Sequence, residues 1–273
     1  MTDIDPRDQS TALVHYLASF LSDHKLDLLP RLLLNRTRHL TVVLEDIHKH
    51  HNASACLRSC DCFGIQDVHI VENYNEYLVA DSIALGASQW LTTQQYNAEG
   101  GKNTEACLTS LKEAGYSIVM TSPHRADCDL ETYDATQKTA LVFGNEKSGA
   151  SPVVREMADH IMRVPMHGFT ESFNISVAVA VVLHHLVWRM RELKLPWQLT
   201  NEERDELLLE WVRTASNKRQ ARLEELFLTD IWPDAERLAQ IEAWPDWSTV
   251  SSIVPLERRS RSCSNELFDE PVE

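Results

Sequence analysis

The chain has 273 residues, 43% hydrophobic and 25% charged, which is ordinary globular usage and excludes a disordered chain, a collagen or a coiled coil. Its formal charge of -15 speaks, as a sum, against a nucleic-acid binder, because phosphate contacts need Lys and Arg. The longest strongly apolar stretch, 175–183, falls far short of the roughly 20 residues of a bilayer span, and the first ten residues lack the features of an export signal, so a cytoplasmic protein is expected.

In chain order, apolar residues at helical spacing predict a helix over 11–29, and Pro30 suits the first turn of a second short helix over 31–38. Together 1–38 form an N-terminal helical extension. Short β-branched runs follow at 40–46, 67–72, 116–122, 139–144 and 160–165. Helical windows lie between or after them at 52–62, 103–114, 152–158 and 174–193. Strands alternating with helices predict an α/β domain over 39–195 with a mainly parallel sheet. Thr200 with Glu203 makes a capping box for a further helix to about 227, a C-terminal extension over 196–228. Beyond it, 229–273 carries ten acidic residues against four basic ones, has no lasting periodicity, and is expected to be an acidic, weakly ordered tail.

Three segments carry candidate chemistry. The turn 143–151, FGNEKSGAS, nearly matches a phosphate-binding P-loop, but Ala150 stands where the phosphate-binding Lys belongs, so nucleotide hydrolysis is not supported. What remains is a loop at a strand's C-terminal end in which Gly144 lets backbone approach a ligand. In the second segment, 51–61, Asn52 is a suitable N-cap, and Arg58 stands among small residues, either paired with a carboxylate or free to bind phosphate. The third, 164–182, is a polar loop entering an apolar helix, with Ser172, Asn174 and Ser176 in its first turn as caps or ligand donors. The six cysteines read as reduced thiols, their C-x3-C-x-C spacing is not a zinc pairing, and no metal is expected. A G-x-S-x-G nucleophile elbow is absent.

In this order the three segments resemble the signature motifs of the SpoU/TrmH family of RNA ribose 2′-O-methyltransferases, of the knotted SPOUT class. Asn52-x-x-Ala55-x-x-Arg58 matches the first motif, LVFGNEKSG (141–149) the second, and VPM-x-G-x-x-ESFNISVA (164–178) the third. The likeness spans roughly 31–193 and is nearest to TrmH-type tRNA guanosine methyltransferases. It implies a SPOUT fold with a C-terminal deep trefoil knot holding S-adenosylmethionine, lined by Thr121, Gly144, Val164, Met166, Ser172, Phe173 and Asn174. Glu146 matches the acid of the second motif. It further implies a homodimer in which Asn52 and Arg58 reach the partner's cofactor, and tRNA as substrate, methylated at D-loop guanosine 18. Arg58 is read as a phosphate and ribose clamp, since a guanidinium does not give up its proton in proteins. The basic sets Arg31, Arg36, Arg38 and Arg213, Lys218, Arg219, Arg222 are expected to grip RNA. A ribosomal RNA substrate and a catalytically silent RNA-binding member are the alternatives.

Overall fold

A computed structural model describes residues 6–75, 77, 86–124, 126–228 and 244–250. Seven strands form one parallel sheet: β1 (Leu40–Glu45), β2 (Asp67–Val71), β3 (Thr92–Tyr96), β4 (Ser117–Thr121), β5 (Cys128–Asp129), β6 (Thr139–Phe143) and β7 (His160–Arg163), in the order β3-β2-β1-β6-β4-β7-β5. Val42 of β1 faces Val68 on one side and Leu141 on the other, so β1 lies at the centre, buried along its whole length. Such a strand must be apolar on both faces, which is why it reads as an unbroken run.

The pleat divides that run between two cores. Leu40, Val42 and Leu44 face α3 (His50–Cys62) and α6 (Ile175–Glu192) through Cys56, Leu57, Val179, Val182 and Leu183. Val43 faces the opposite way, with Cys107, Leu108 and Leu111 of α4 (Asn103–Glu113) and Val154 of α5 (Pro152–Met157). A third core joins the chain ends: α1 (Pro6–Ala18) and α2 (Asp23–Leu33) pack on α7 (Asn201–Ser216) and α8 (Gln220–Leu228) around Leu17, Leu33, Leu208 and Trp211. No helix among the described residues is long and apolar enough to cross a membrane.

The extensions depart from expectation in three places. The helix expected over 11–29 is interrupted at 19–22, and Ser22 caps α2, so Pro30 lies inside α2 instead of opening a new helix. Pro30 has no N–H for the carbonyl of Leu26, four residues back. The indole N–H of Trp244 donates to that carbonyl instead, at 2.9 Å. Trp247 also docks, its indole bonded to Asp205 Oδ1 at 2.9 Å and the Arg204 guanidinium 5.2 Å from its ring. Residues 244–250 of the acidic tail are thus held against the third core, while the rest of 229–273 lies outside the described residues. The capping box at Thr200 forms with both hydrogen bonds, but Asn217 breaks the expected helix into α7, a short 3₁₀ turn and α8.

Candidate active site at the carboxyl edge of the sheet

Because all seven strands are parallel, the loops after β1, β2, β4, β6 and β7 emerge at one edge, where α/β folds place ligands. The sequence marks this edge where apolar β1 ends in Glu45 and Asp46. Buried Glu45 accepts from Thr104 Oγ1 (2.7 Å) and from the N–H of Ser151 (2.9 Å), tying β1 to α4 and to the cap of α5. Asp46 carries the loop after β2, and its own carbonyl accepts from Asn145 Nδ2 at 2.7 Å. Neither acid, nor Asn145, stood among the residues read from sequence; a charged pair closing a buried strand was the available signal.

The three motif segments meet here in one hydrogen-bond chain. Glu146 Oε1 accepts from Asn52 Nδ2 at 2.7 Å, and its carboxylate also accepts from the N–H groups of His48 (2.9 Å) and Lys49 (3.3 Å). Asn52 Oδ1 accepts from Asn174 Nδ2 at 3.2 Å, and Asn174 Oδ1 accepts from the N–H of Ser176 at 2.9 Å, capping α6. Desolvation pushes the Glu146 carboxyl up, but the Asn52 amide and the backbone N–H groups outweigh it and hold the carboxyl below its ordinary value. Glu146 is therefore an anion near the positive end of α3, where a helix favours negative charge. Asn52, expected as N-cap, lies inside the first turn; the helix begins at His50, and the cap residue Lys49 makes no side-chain cap bond.

Two cavities flank the first turn of α6. One, of about 100 Å³, is lined by Thr121, Phe143, Met162, Val164, Met166, Ser172 and Phe173 among others, which gathers five of the expected cofactor residues at the ends of β4, β6 and β7. Gly144 is not in its wall. A Cβ there would lie 2.2 Å from the Ala150 backbone, in a loop closed by reciprocal bonds between Asn145 and Gly149, so glycine at 144 is required by the closure of its own loop. The other, an open groove of about 490 Å³, holds Arg58 with His51, Ala55, Ser59, Cys62, Phe63 and Ser176. Arg58 is exposed and has no ion pair among the described residues. Buried Cys56 lies behind this face, its thiol pushed up to about 12 by burial, hence neutral.

Chain similarity decides the family. The pattern of the SpoU rRNA Methylase family matches residues 39–184. The chain belongs to this family. Among its relatives, a tRNA (guanosine(18)-2'-O)-methyltransferase of Borreliella burgdorferi is 39% identical over 197 residues, covering 72% of this chain and 88% of that one. One of Thermus thermophilus is 34% identical over 151 residues, 55% of this chain and 75% of that one. Among solved SpoU structures, the A. aeolicus TrmH/SpoU tRNA modifying enzyme superposes with a TM-score of 0.63 at 28% identity, covering 70% of this chain and 96% of that one. AviRb of Streptomyces viridochromogenes, solved in complex with AdoMet, shares the fold at 24% identity and a TM-score of 0.51, covering 59% of this chain and 64% of that one.

The basic sets expected to grip RNA are mostly neutralised. Arg31 pairs with Asp27 (2.9 Å), Arg38 with Asp67 and Glu203 (3.1 Å each), Arg213 with Glu224 (2.8 Å) and Arg222 with Glu225 (2.7 Å). Arg36 is only 4% exposed, bonded to Asp61 and to the Ile65 carbonyl and lying over Trp211. Its contacts are those of an internal strut. A stretch free of acids in sequence is not free of them in space. Of the two sets, only Lys218 and Arg219 are exposed without an ion pair among the described residues.

Proposed function

We propose that this SpoU-family protein is an S-adenosylmethionine-dependent methyltransferase acting on the ribose 2′-hydroxyl of tRNA guanosine 18, the activity its relatives are named for. The observation that carries the reading is the chain from Glu146 through Asn52 to Asn174, which joins segments up to 122 residues apart beside a cavity at the ligand-binding edge. Apolar Phe143, Met162, Val164 and Met166 with polar Thr121 and Ser172 suit a nucleoside-bearing ligand, an apolar pocket with a few orienting groups. Its volume is below the roughly 300 Å³ of small ligand pockets, and in this reading the exposed loop 167–173 at its rim shifts to seat the ligand. S-adenosylmethionine, when bound, supplies the electrophilic methyl. The residues of this chain orient the acceptor: Arg58 clamps phosphate and ribose by charge-assisted bonds, and anionic Glu146 fixes Asn52. The hydroxyl proton leaves to water or a nearby acceptor.

The reading includes the trefoil knot, work in the cytoplasm, and a homodimer. Val177 and Trp188 on α6, with Phe173 just before its cap, are exposed large apolar side chains, and α6 also lines the Arg58 groove through Ser176; exposed apolar surface of this kind marks an interface. Arg58 lines a different cavity from the cofactor residues, which fits an arginine serving the partner's site. Arg58→Ala should lower methyl transfer to tRNA at least ~100-fold while calorimetry still registers cofactor binding; an undiminished rate rejects the assignment. Val177→Arg should yield an inactive monomer by light scattering, and an active monomer rejects the shared site.

A further inference from the structure

The loop after β2 presents one aromatic ring to solvent from a tightly held backbone. Asp46 Oδ1 accepts from three successive N–H groups, Asn73 (2.7 Å), Tyr74 (2.8 Å) and Asn75 (3.3 Å). Asp46 Oδ2 takes Asn73 Nδ2 at 3.0 Å, and the Asp46 carbonyl takes Asn75 Nδ2 at 3.0 Å. Asp46 itself sits at φ 51°, in the left-handed region that side-chain-bearing residues seldom adopt. All this order supports a Tyr74 that is 93% exposed, with no ring contact among the described residues. The backbone at Tyr74 is held, and packing among the described residues does not account for the exposed ring.

Its position ties it to the site. Asn75 Oδ1 lies 3.3 Å from His48 Nδ1, and the N–H of His48 donates to Glu146 at 2.9 Å. Tyr74 is therefore the chain neighbour of a residue bonded to the His48 loop, whose N–H groups hold the Glu146 carboxylate. Lys147 follows Glu146 in sequence and the N–H of Lys49 donates to Glu146 at 3.3 Å, and both lysines are exposed and without an ion pair among the described residues. An exposed ring in the same hydrogen-bonded loop cluster as two exposed lysines matches unstacked nucleic acid, whose bases stack on aromatics while cations take the phosphates. We infer that Tyr74 is a stacking platform for a nucleobase of the RNA strand being modified, with Lys49 and Lys147 contacting its backbone. The inference rests on the proposed RNA activity and names the residues that seat the substrate strand.

The experiment compares full-length wild type, Tyr74→Ala, Tyr74→Phe and Lys147→Gln with a tRNA transcript, by fluorescence anisotropy and by steady-state methyl transfer. Tyr74→Ala should raise Kd and KM for tRNA about tenfold, with cofactor affinity unchanged, whereas Tyr74→Phe should stay within about twofold because the ring face is retained. Lys147→Gln should flatten the salt dependence of binding by about one counterion, and Tyr74→Ala should leave it unaltered. Equal tRNA affinity for wild type and Tyr74→Ala overturns the platform, as does a Tyr74→Phe loss matching that of Tyr74→Ala, which assigns the effect to the hydroxyl. Failure of the activity is read separately: anisotropy measures the RNA contact without turnover, and wild type binding tRNA without methylating it sinks only the catalytic reading.

Discussion

Arg36 gives the cleanest separation between a charge that reads RNA and one that holds the fold. Its guanidinium pairs with Asp61 in the last turn of α3, donates to the Ile65 carbonyl at 3.2 Å and lies 4.9 Å from the Trp211 ring of α7. It therefore bolts the N-terminal extension to the helix bearing Arg58 and to the C-terminal extension. Replacing it by Met keeps much of the stem but strands Asp61 and the carbonyl. Breaking a buried pair costs about 3–5 kcal/mol. The Asp61 side chain is 29% exposed and regains some water, so the lower end, about 3 kcal/mol, applies. For a domain of this size that lowers Tm by about 6–12 °C. Calorimetric melts of Arg36→Met should show this drop, while tRNA anisotropy well below the melting point should find near-wild-type affinity. Unchanged melting together with weakened tRNA binding would refute the reasoning and restore Arg36 as an RNA contact.

Two further outcomes follow from local chemistry. Glu146 is more acidic in the folded protein than in the unfolded chain, so its ionised form stabilises the fold above the unfolded carboxylate range, and that contribution is lost as pH falls through the depressed folded value. The stability gap between wild type and Glu146→Gln, from urea melts, should be flat from neutral pH to about 5 and shrink below about 4; a gap that widens toward acid contradicts the network. Trp244→Phe should cost about 1 kcal/mol through the lost bond to Leu26, and clearly less in a Pro30→Ala background, where the restored N–H serves that carbonyl; equal costs in both backgrounds exclude the coupling.

What the sequence reveals of the fold follows what is buried. The runs that became β1, β2, β4 and β6 were legible because strands covered on both faces must be apolar. Strand β3, TTQQY, was missed because it lies at the sheet edge with its middle three residues exposed, so no alternation distinguishes it from a loop. Strand β5 has two residues and no periodicity to read. Pro30 misplaced a helix boundary because the local rule assumes an orphaned carbonyl has no remedy, whereas Trp244, 218 residues away, provides one.

The site was legible in its parts and not in its wiring. Asn52, Glu146 and Asn174 were identifiable as motif residues, yet that an acid from the loop after β6 would hold an asparagine inside the first turn of α3 requires the parallel sheet that brings both loops to one edge. Charge was the least legible quantity, because a formal sum counts residues while an interface uses only charges left over after folding. Carboxylates from other turns or other elements neutralise Arg31, Arg36, Arg38, Arg213 and Arg222. Among the described residues, Arg58, Lys49 and Lys147 remain without an ion pair at the carboxyl edge, and Lys218 and Arg219 beside the third core. A net charge of -15 is then compatible with RNA binding, since acids bound to arginines create little outward field and the tail 229–273, with ten acids against four basic residues, supplies -6 of the total. What draws a polyanion is the local excess of cation around Glu146 and Arg58, within one Debye length of about 8–10 Å, beyond which salt hides the remainder of the molecule.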